Sequence, residues 1–190
     1  MTCEAITNVI LRNRWRQAFA IPRYTPDKWF EADVFERTKA GYFREYEIKT
    51  SRVDFLRDAK KENSETWRGP TGSKHKRLAA KDVRGPVQFW FVVPEGLIRL
   101  NEVPEWAGLI EITQQSPRHH LYEVERIKAP RLHGEKCAQA VNDHSLGICY
   151  YRFTGMLALK DTAKKQMNLL RAYGWPKIKP PETGQEAKAI

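Results

Sequence analysis

The chain has 190 residues, enough for one domain with a single core, and its composition (41% hydrophobic, 29% charged) is that of a globular protein. No stretch is apolar over the length that a membrane span needs, and the N-terminus has no signal-peptide pattern. Its three cysteines, Cys3, Cys137 and Cys149, form no CxxC pair, so we expect a reduced, cytoplasmic protein. The net charge of +10 favours a polyanionic partner, although a solvated basic surface explains it about equally well.

The first half of the chain predicts a helix, a hairpin and a second helix. Residues 2–19 carry a partial apolar stripe and precede Pro22, which predicts a helix. Alternating patterns at 29–36 and 42–50 predict two strands joined by a loop. Ser51 to Asp54 has the form of a capping box, so the second helix should begin there and run to about residue 67.

The second half predicts more strands, followed by helices and a tail. A short basic helix is expected at 74–81 after a flexible loop. Apolar runs predict strands at 87–93, 107–112 and 121–127. One or two helices should cover 135–160, and the Pro- and Lys-rich residues 176–190 should form a flexible basic tail. The order of elements indicates an α/β fold on a mixed central sheet flanked by helices.

The two strands of the predicted hairpin each carry a charged face. Side chains alternate along a strand, so Glu31 and Asp33 share one face of the first strand, and Glu45, Glu47 and Lys49 share one face of the second. The opposite, apolar face contains Phe30, Ala32, Val34, Tyr46 and Ile48. Several carboxylates on one small surface repel each other unless a cation joins them, and a divalent cation with oxygen ligands suits this pattern.

Five segments of the chain resemble one enzyme superfamily. They read Glu-Ala-Asp-Val-Phe, Tyr-Glu-Ile-Lys-Thr-Ser-Arg-x-Asp-Phe, Lys-His, Phe-Trp-Phe-Val-Val-Pro and Trp-Ala-Gly-Leu-Ile-Glu. Together they resemble the PD-(D/E)xK nucleases, most closely the MmcB-like branch and related phage or prophage proteins, over residues 29–132. One departure is Ala32, which stands directly before Asp33 where the pattern has proline.

The resemblance implies a fold, a cofactor and a set of catalytic residues. Residues 1–175 would form a restriction-endonuclease-like domain. Asp33, Glu47 and the Ile48 carbonyl would hold Mg2+, with Mn2+ able to substitute, and Lys49 would assist the attacking water. Glu4 and Glu31 are further candidate ligands. Glu4 is better explained by the helix dipole, which favours a carboxylate in a first turn, whereas an ordinary surface position explains Glu31 equally well.

A basic stretch after the hairpin is the candidate DNA-binding surface. Its residues are Ser51, Arg52, Lys60, Lys61, Lys74, His75, Lys76 and Arg77. Lysine and arginine would contact phosphates, and Trp67 would stack on a base. Two other interpretations remain open, because Ser51 is a natural helix cap and charged helices are often simply solvated.

The sequence therefore predicts a Mg2+-dependent nuclease that hydrolyses phosphodiester bonds in DNA during repair, recombination or phage DNA processing. One alternative is a nucleic-acid-binding module of the same fold with weak or no cleavage. Another is a basic interaction protein in which the charged hairpin is incidental. A zinc site is disfavoured, because the spacing of His133, Cys137, His144 and Cys149 matches no common ligand pattern.

Overall fold

The computed structural model describes residues 1–14, 18–26, 28–58, 72–114 and 120–137, together with His144, Gly147 and Arg152. The chain divides into two compact units, Met1–Leu146 and Gly147–Ile190. The first unit contains all the helices and strands discussed below. The helices predicted at 135–160 lie almost entirely outside the described residues, and the predicted tail at 176–190 lies wholly outside them.

The first unit is built from helices placed around a sheet. The helices are α1 (Cys3–Arg14), α2 (Arg52–Asp58) and α3 (Lys74–Ala79), with a short 3-10 helix at Leu100–Glu102. The strands are β1 (Ala18–Tyr24), β2 (Ala32–Thr38), β3 (Phe43–Ile48), β4 (Gln88–Pro94), β5 (Gly108–Thr113) and β6 (Tyr122–Ile127). No helix in these described ranges has the length and apolar character needed to cross a membrane.

The six strands form one mixed sheet in the order β1-β2-β3-β4-β5-β6. The pairs β1–β2, β2–β3 and β5–β6 are antiparallel, whereas β3–β4 and β4–β5 are parallel. The parallel step from β3 to β4 passes through α2 and α3, as parallel neighbours require a long crossover. The predicted α/β fold, with a mixed central sheet flanked by helices, is confirmed.

The two faces of the sheet differ in character. On one of them, which we call the α1 face, buried residues of α1 pack against Val34, Tyr46, Ile48, Trp90 and Val92. The other, which we call the carboxylate face, carries Asp33, Glu45, Glu47, Phe89 and Phe91. Helix α2 covers part of it, since its Phe55 ring lies 5.0 Å from that of Phe91.

One element predicted at the N-terminus is wrong. The first helix ends at Arg14 rather than near residue 19, and Ala18–Tyr24 forms β1 instead. Pro22 pairs with Val34 in that strand. Proline is tolerated there because β1 is the edge strand in the described sheet order, and edge strands are where a sheet accommodates a residue without an N–H.

The predicted cap of the second helix is confirmed. The Asp54 N–H donates to Ser51 Oγ at 3.2 Å, and helical bonding begins with Phe55 N–H to Ser51 O. Helix α2 is described to Asp58, and the rest of the predicted helix, to residue 67, lies outside the described residues.

Candidate functional site

Asp33 and Glu47 meet where β2 and β3 run side by side. The register pairs Val34 with Tyr46, which places Asp33 beside Glu47 on the carboxylate face. The Ile48 N–H donates to Asp33 Oδ2 at 2.8 Å and fixes that carboxylate against the end of β3. The strand pairing therefore brings both predicted acids and the Ile48 backbone together.

Two lysines hold the Glu47 carboxylate, one at each oxygen. Lys49 Nζ lies 2.8 Å from Oε1, and Lys74 Nζ lies 2.7 Å from Oε2. Burial acts to raise the pKa of Glu47, but the ammonium groups of Lys74 and Lys49 outweigh it, so the pKa lies below its ordinary value. Glu47 is therefore ionised at neutral pH.

Lys49 connects the sheet to α2. Its side chain is 3% exposed, and its Nζ lies 3.1 Å from Asp58 Oδ1 as well as next to Glu47. The other Asp58 oxygen lies 2.8 Å from His75 Nε2. The His75 ring in turn packs 5.2 Å from that of Trp106. Lys49 is thus held in place by residues from two separate elements.

Glu45 is a further carboxylate of this cluster and has no exposed surface. Trp29 Nε1 donates to its Oε2 at 2.9 Å, and Lys74 forms an ion pair with its Oε1. The Trp29 ring packs directly against the backbone at Gly85, where a Cβ atom would lie only 2.5 Å from the ring. Burial raises the pKa of Glu45 to about 7, even though Lys74 acts against the shift.

Asp33 is also affected by its neighbours. Burial raises its pKa, and the nearby Glu47 carboxylate adds to the increase. The Ile48 N–H, Lys49 and Lys74 act in the opposite direction without cancelling it. Perturbed carboxyl groups gathered in one place are typical of functional sites, although structural ion-pair networks also produce them.

Negative charge is in excess in this cluster. At its centre the four carboxylates of Asp33, Glu45, Glu47 and Asp58 face the two ammonium groups of Lys49 and Lys74. At its edge, half-exposed Asp54 lies 4.0 Å from Lys49 Nζ, and the His75 ring contacts Asp58. An unbalanced set of buried charges is costly unless a proton or another cation joins it. The raised pKa values of Asp33 and Glu45 are the expected response.

The two further ligand candidates are placed differently from Asp33. Helix α1, which carries Glu4 in its first turn, packs on the opposite face of the sheet. Among the described residues, no hydrogen bond or ion pair joins Glu4 to Asp33 or Glu47. Glu31 is exposed, and its backbone carbonyl accepts a hydrogen bond from Lys74 at 3.0 Å. Glu31 therefore lies next to the cluster, and Glu4 does not contact it.

Of the predicted DNA-binding residues around α2, Ser51 and Arg52 have partners within the protein. Ser51 caps the helix, and exposed Arg52 pairs with both carboxylate oxygens of Glu102. Lys60 and Lys61 lie outside the described residues, as does Trp67.

In α3 only one of the four predicted DNA-binding residues is exposed. Lys74 and His75 point into the acidic cluster, whereas Lys76 is exposed. Arg77 binds Asp82 at 2.8 Å and stacks over the Trp29 ring at 4.7 Å. The sequence predicts that these residues form one basic surface, but in the structure Lys74, His75 and Arg77 contact other residues of the protein.

The donor chemistry suits a hard divalent cation. Two carboxylates, from Asp33 and Glu47, and the carbonyl of Ile48 are oxygen donors of the kind that Mg2+ prefers. Within the described part of the chain, no three His, Cys, Asp or Glu side chains are grouped so as to hold a metal ion together. A cation here would complete its coordination with the carbonyl and water, as Mg2+ commonly does.

The two histidines of the disfavoured zinc pattern have partners within the protein. His133 Nε2 faces the Gly85 carbonyl at 3.1 Å, and His144 Nδ1 lies 3.2 Å from the Tyr24 hydroxyl. Burial raises the pKa of the Cys137 thiol to about 11. Cys149 lies outside the described residues.

Sequence reasoning did not select Glu45, Asp58 or the inward role of Lys74. Glu45 carried a signal, since it precedes Glu47 by two residues and so shares its face. No local pattern marks Asp58 or Lys74. Both lie in helices that follow β3, and each contacts charged residues in or next to that strand. Such contacts depend on how the crossover folds back over the sheet.

Comparison with known proteins adds a fold but no activity. No family model matches the chain, and no curated protein matches it. Its structure is similar to that of the SPO1766 protein of unknown function from Silicibacter pomeroyi, with a TM-score of 0.56 and 16% identity. The similarity covers 86% of this chain and 94% of the other. At this identity the match shows a shared fold alone.

Proposed function

We propose that the protein is a Mg2+-dependent nuclease that hydrolyses phosphodiester bonds in DNA inside the cell. The observation that carries the proposal is the cluster around Asp33 and Glu47, in which four carboxylates face two ammonium groups. A divalent cation would neutralise this excess. The Asp…Glu-x-Lys pattern and the net charge of +10 add support from the sequence.

In this proposal each residue of the cluster has a separate task. Asp33, Glu47 and the Ile48 carbonyl would hold the cation, which when bound neutralises phosphate charge and activates water. Lys49, locked by Glu47 and Asp58, would orient the water and stabilise charge that develops on the phosphate. The Ile48 N–H holds one oxygen of Asp33 in place, and the other oxygen would bind the cation.

The test is cleavage of a panel of labelled DNA and RNA structures in Mg2+, Mn2+ or EDTA. We expect cleavage that EDTA abolishes and that Asp33→Ala loses, since the variant lacks a carboxylate oxygen that would bind the cation. Glu105→Ala, which changes an exposed carboxylate, is the matched control and should cleave like the wild type. Cleavage that persists in EDTA, or in Asp33→Ala, would contradict the proposal.

A second candidate is a nucleic-acid-binding module of the same fold that does not cleave. The observation in its favour is that both oxygens of Glu47 already have lysine partners, a closed arrangement that needs no metal. On this alternative the same panel would show DNA binding in EDTA and no cleavage in any metal.

A further inference from the structure

The ammonium group of Lys74 binds one of the two Glu47 oxygens that would be offered to a metal ion. It is paired with Glu45 and Glu47, with 2.7 Å to Glu47 Oε2, and donates to the Glu31 carbonyl at 3.0 Å. Three oxygens therefore surround one cationic nitrogen, matching the three donors of an ammonium group. A divalent cation bound to Glu47 would have to share or replace this contact.

The side chains of Lys74 and Lys49 are held by different surroundings. Lys49 directly follows β3, is 3% exposed, and is fixed between Glu47 and Asp58. Lys74 is the first residue of α3 and its side chain is 14% exposed, so part of its stem reaches the surface while its ammonium group is enclosed by the oxygens of Glu45, Glu47 and Glu31. A flexible four-carbon stem can turn outward without moving the helix.

The body of α3 does not depend on the ammonium contact. Ser73 caps the helix by accepting from the Lys76 N–H at 3.4 Å. Leu78 is buried beneath it, and Arg77 is held by Asp82 and the Trp29 ring. The Lys74 side chain can therefore change partners while its backbone stays in place.

We propose that Lys74 is an exchangeable internal counterion of the Asp33–Glu47 site. Without metal, its ammonium group neutralises Glu47, and a divalent cation that binds Asp33 and Glu47 displaces it toward solvent. Two cations held by one carboxylate repel each other, so binding of the metal and retention of the Lys74–Glu47 contact are in competition. This inference rests on the proposed function and adds an order to it: the displaced Lys74 becomes available for a substrate phosphate only after the metal has bound.

The first test is calorimetric titration with Mn2+ of the wild type, Lys74→Met and Lys39→Met. Lys74→Met removes the competitor and should bind Mn2+ about tenfold more tightly than the wild type. Lys39→Met removes an exposed charge from the turn between β2 and β3 and should bind like the wild type. Equal or weaker binding by Lys74→Met, or an equal gain in Lys39→Met, would overturn the inference.

The second test uses the wild type alone, and so does not depend on the folding of a variant. Lysines are reductively methylated with and without saturating Mn2+, and mass spectrometry follows each one. Lys74 should react about tenfold faster with Mn2+, whereas Lys49 should stay protected in both states. A Lys74 rate that Mn2+ leaves unchanged or lowers would overturn the inference.

The outcomes separate this inference from the proposed function. Mn2+ binding of equal strength in wild type and Lys74→Met overturns the exchange and leaves the metal site standing. Absence of Mn2+ binding in both proteins overturns the exchange and the metal-dependent nuclease together. Binding by Lys74→Met but not by wild type overturns both, because Lys74 then excludes the metal instead of exchanging with it.

Discussion

The same two strands, β2 and β3, carry buried charged groups on both of their faces, but the ratio of carboxylates to cationic groups differs between the faces. On the α1 face, Glu36 is bound by Arg14, Arg44 and the Tyr46 hydroxyl. Arg14 also pairs with Glu123 at 2.6 Å, so two carboxylates meet two guanidinium groups. On the carboxylate face, four carboxylates meet two ammonium groups.

This difference separates a structural ion network from a candidate site. A balanced network of arginines, whose planar groups keep their charge, has no need of another ion. An unbalanced cluster held by lysines has both the charge and the adaptable partners to accept one. Each of the following predictions tests whether the two faces behave in these different ways.

The largest effect on stability should come from the α1 face. Glu36→Gln removes the buried carboxylate that Arg14, Arg44 and the Tyr46 hydroxyl share, and we expect a loss of about 3 kcal/mol in the free energy of unfolding. Urea denaturation measures it. Asp33→Asn on the carboxylate face should cost little, because an amide oxygen still accepts from the Ile48 N–H and the repulsion by Glu47 disappears. Equal losses in the two variants would remove the distinction between the faces.

Lys49→Met should mainly affect catalysis. If the ammonium group stabilises developing charge, cleavage should fall about a hundredfold while DNA affinity stays close to that of the wild type. Single-turnover cleavage and DNA titration measure the two quantities. Arg14→Met, on the α1 face, should reduce stability without changing the cleavage rate of the folded protein. A Lys49→Met protein that cleaves at the wild-type rate would show that the lysine is only an ion-pair partner.

Glu45 should make stability depend on pH. Its pKa is about 7 in the folded chain and 4.5 ordinarily, so between these values the folded state holds more protons than the unfolded state. Its contribution to stability therefore falls as pH rises from 4.5 to 7. Glu45→Gln removes this fall, and the variant should be more stable than wild type above pH 7 by roughly 2 kcal/mol. Unfolding curves at pH 5 and pH 8 test this, and a wild-type advantage at pH 8 would contradict it.

The smallest effect should come from exposed Lys76. Lys76→Ala should reduce the slope of log affinity against log salt by about 1 if the side chain contacts a phosphate. Its stability should change by less than about 0.5 kcal/mol, as for other surface positions. Arg77→Ala, by contrast, should lose stability, because Arg77 binds Asp82 and stacks on Trp29. An unchanged salt slope for Lys76→Ala would place the DNA-binding surface elsewhere.

Much of the fold follows from local sequence pattern. Five of the six strands in the described residues, and the starts of α2 and α3, were predicted, because alternation, apolar runs and caps act over a few residues. β1 was missed because Pro22 was interpreted as a helix end. Whether proline ends a helix or lies in a strand depends on whether that strand is at an edge, which local pattern does not contain.

The candidate site divides in the same way. Alternation along β2 and β3 is a property of the backbone, so the strand patterns alone place Asp33 on the charged face of its strand and Glu45, Glu47 and Lys49 on the charged face of theirs. The folded chain adds what these patterns do not contain: this face is covered, Asp58 and Lys74 join it, and its carboxylates outnumber its ammonium groups. Burial and charge balance depend on contacts between residues far apart in the chain, which the path of the β3–β4 crossover brings together.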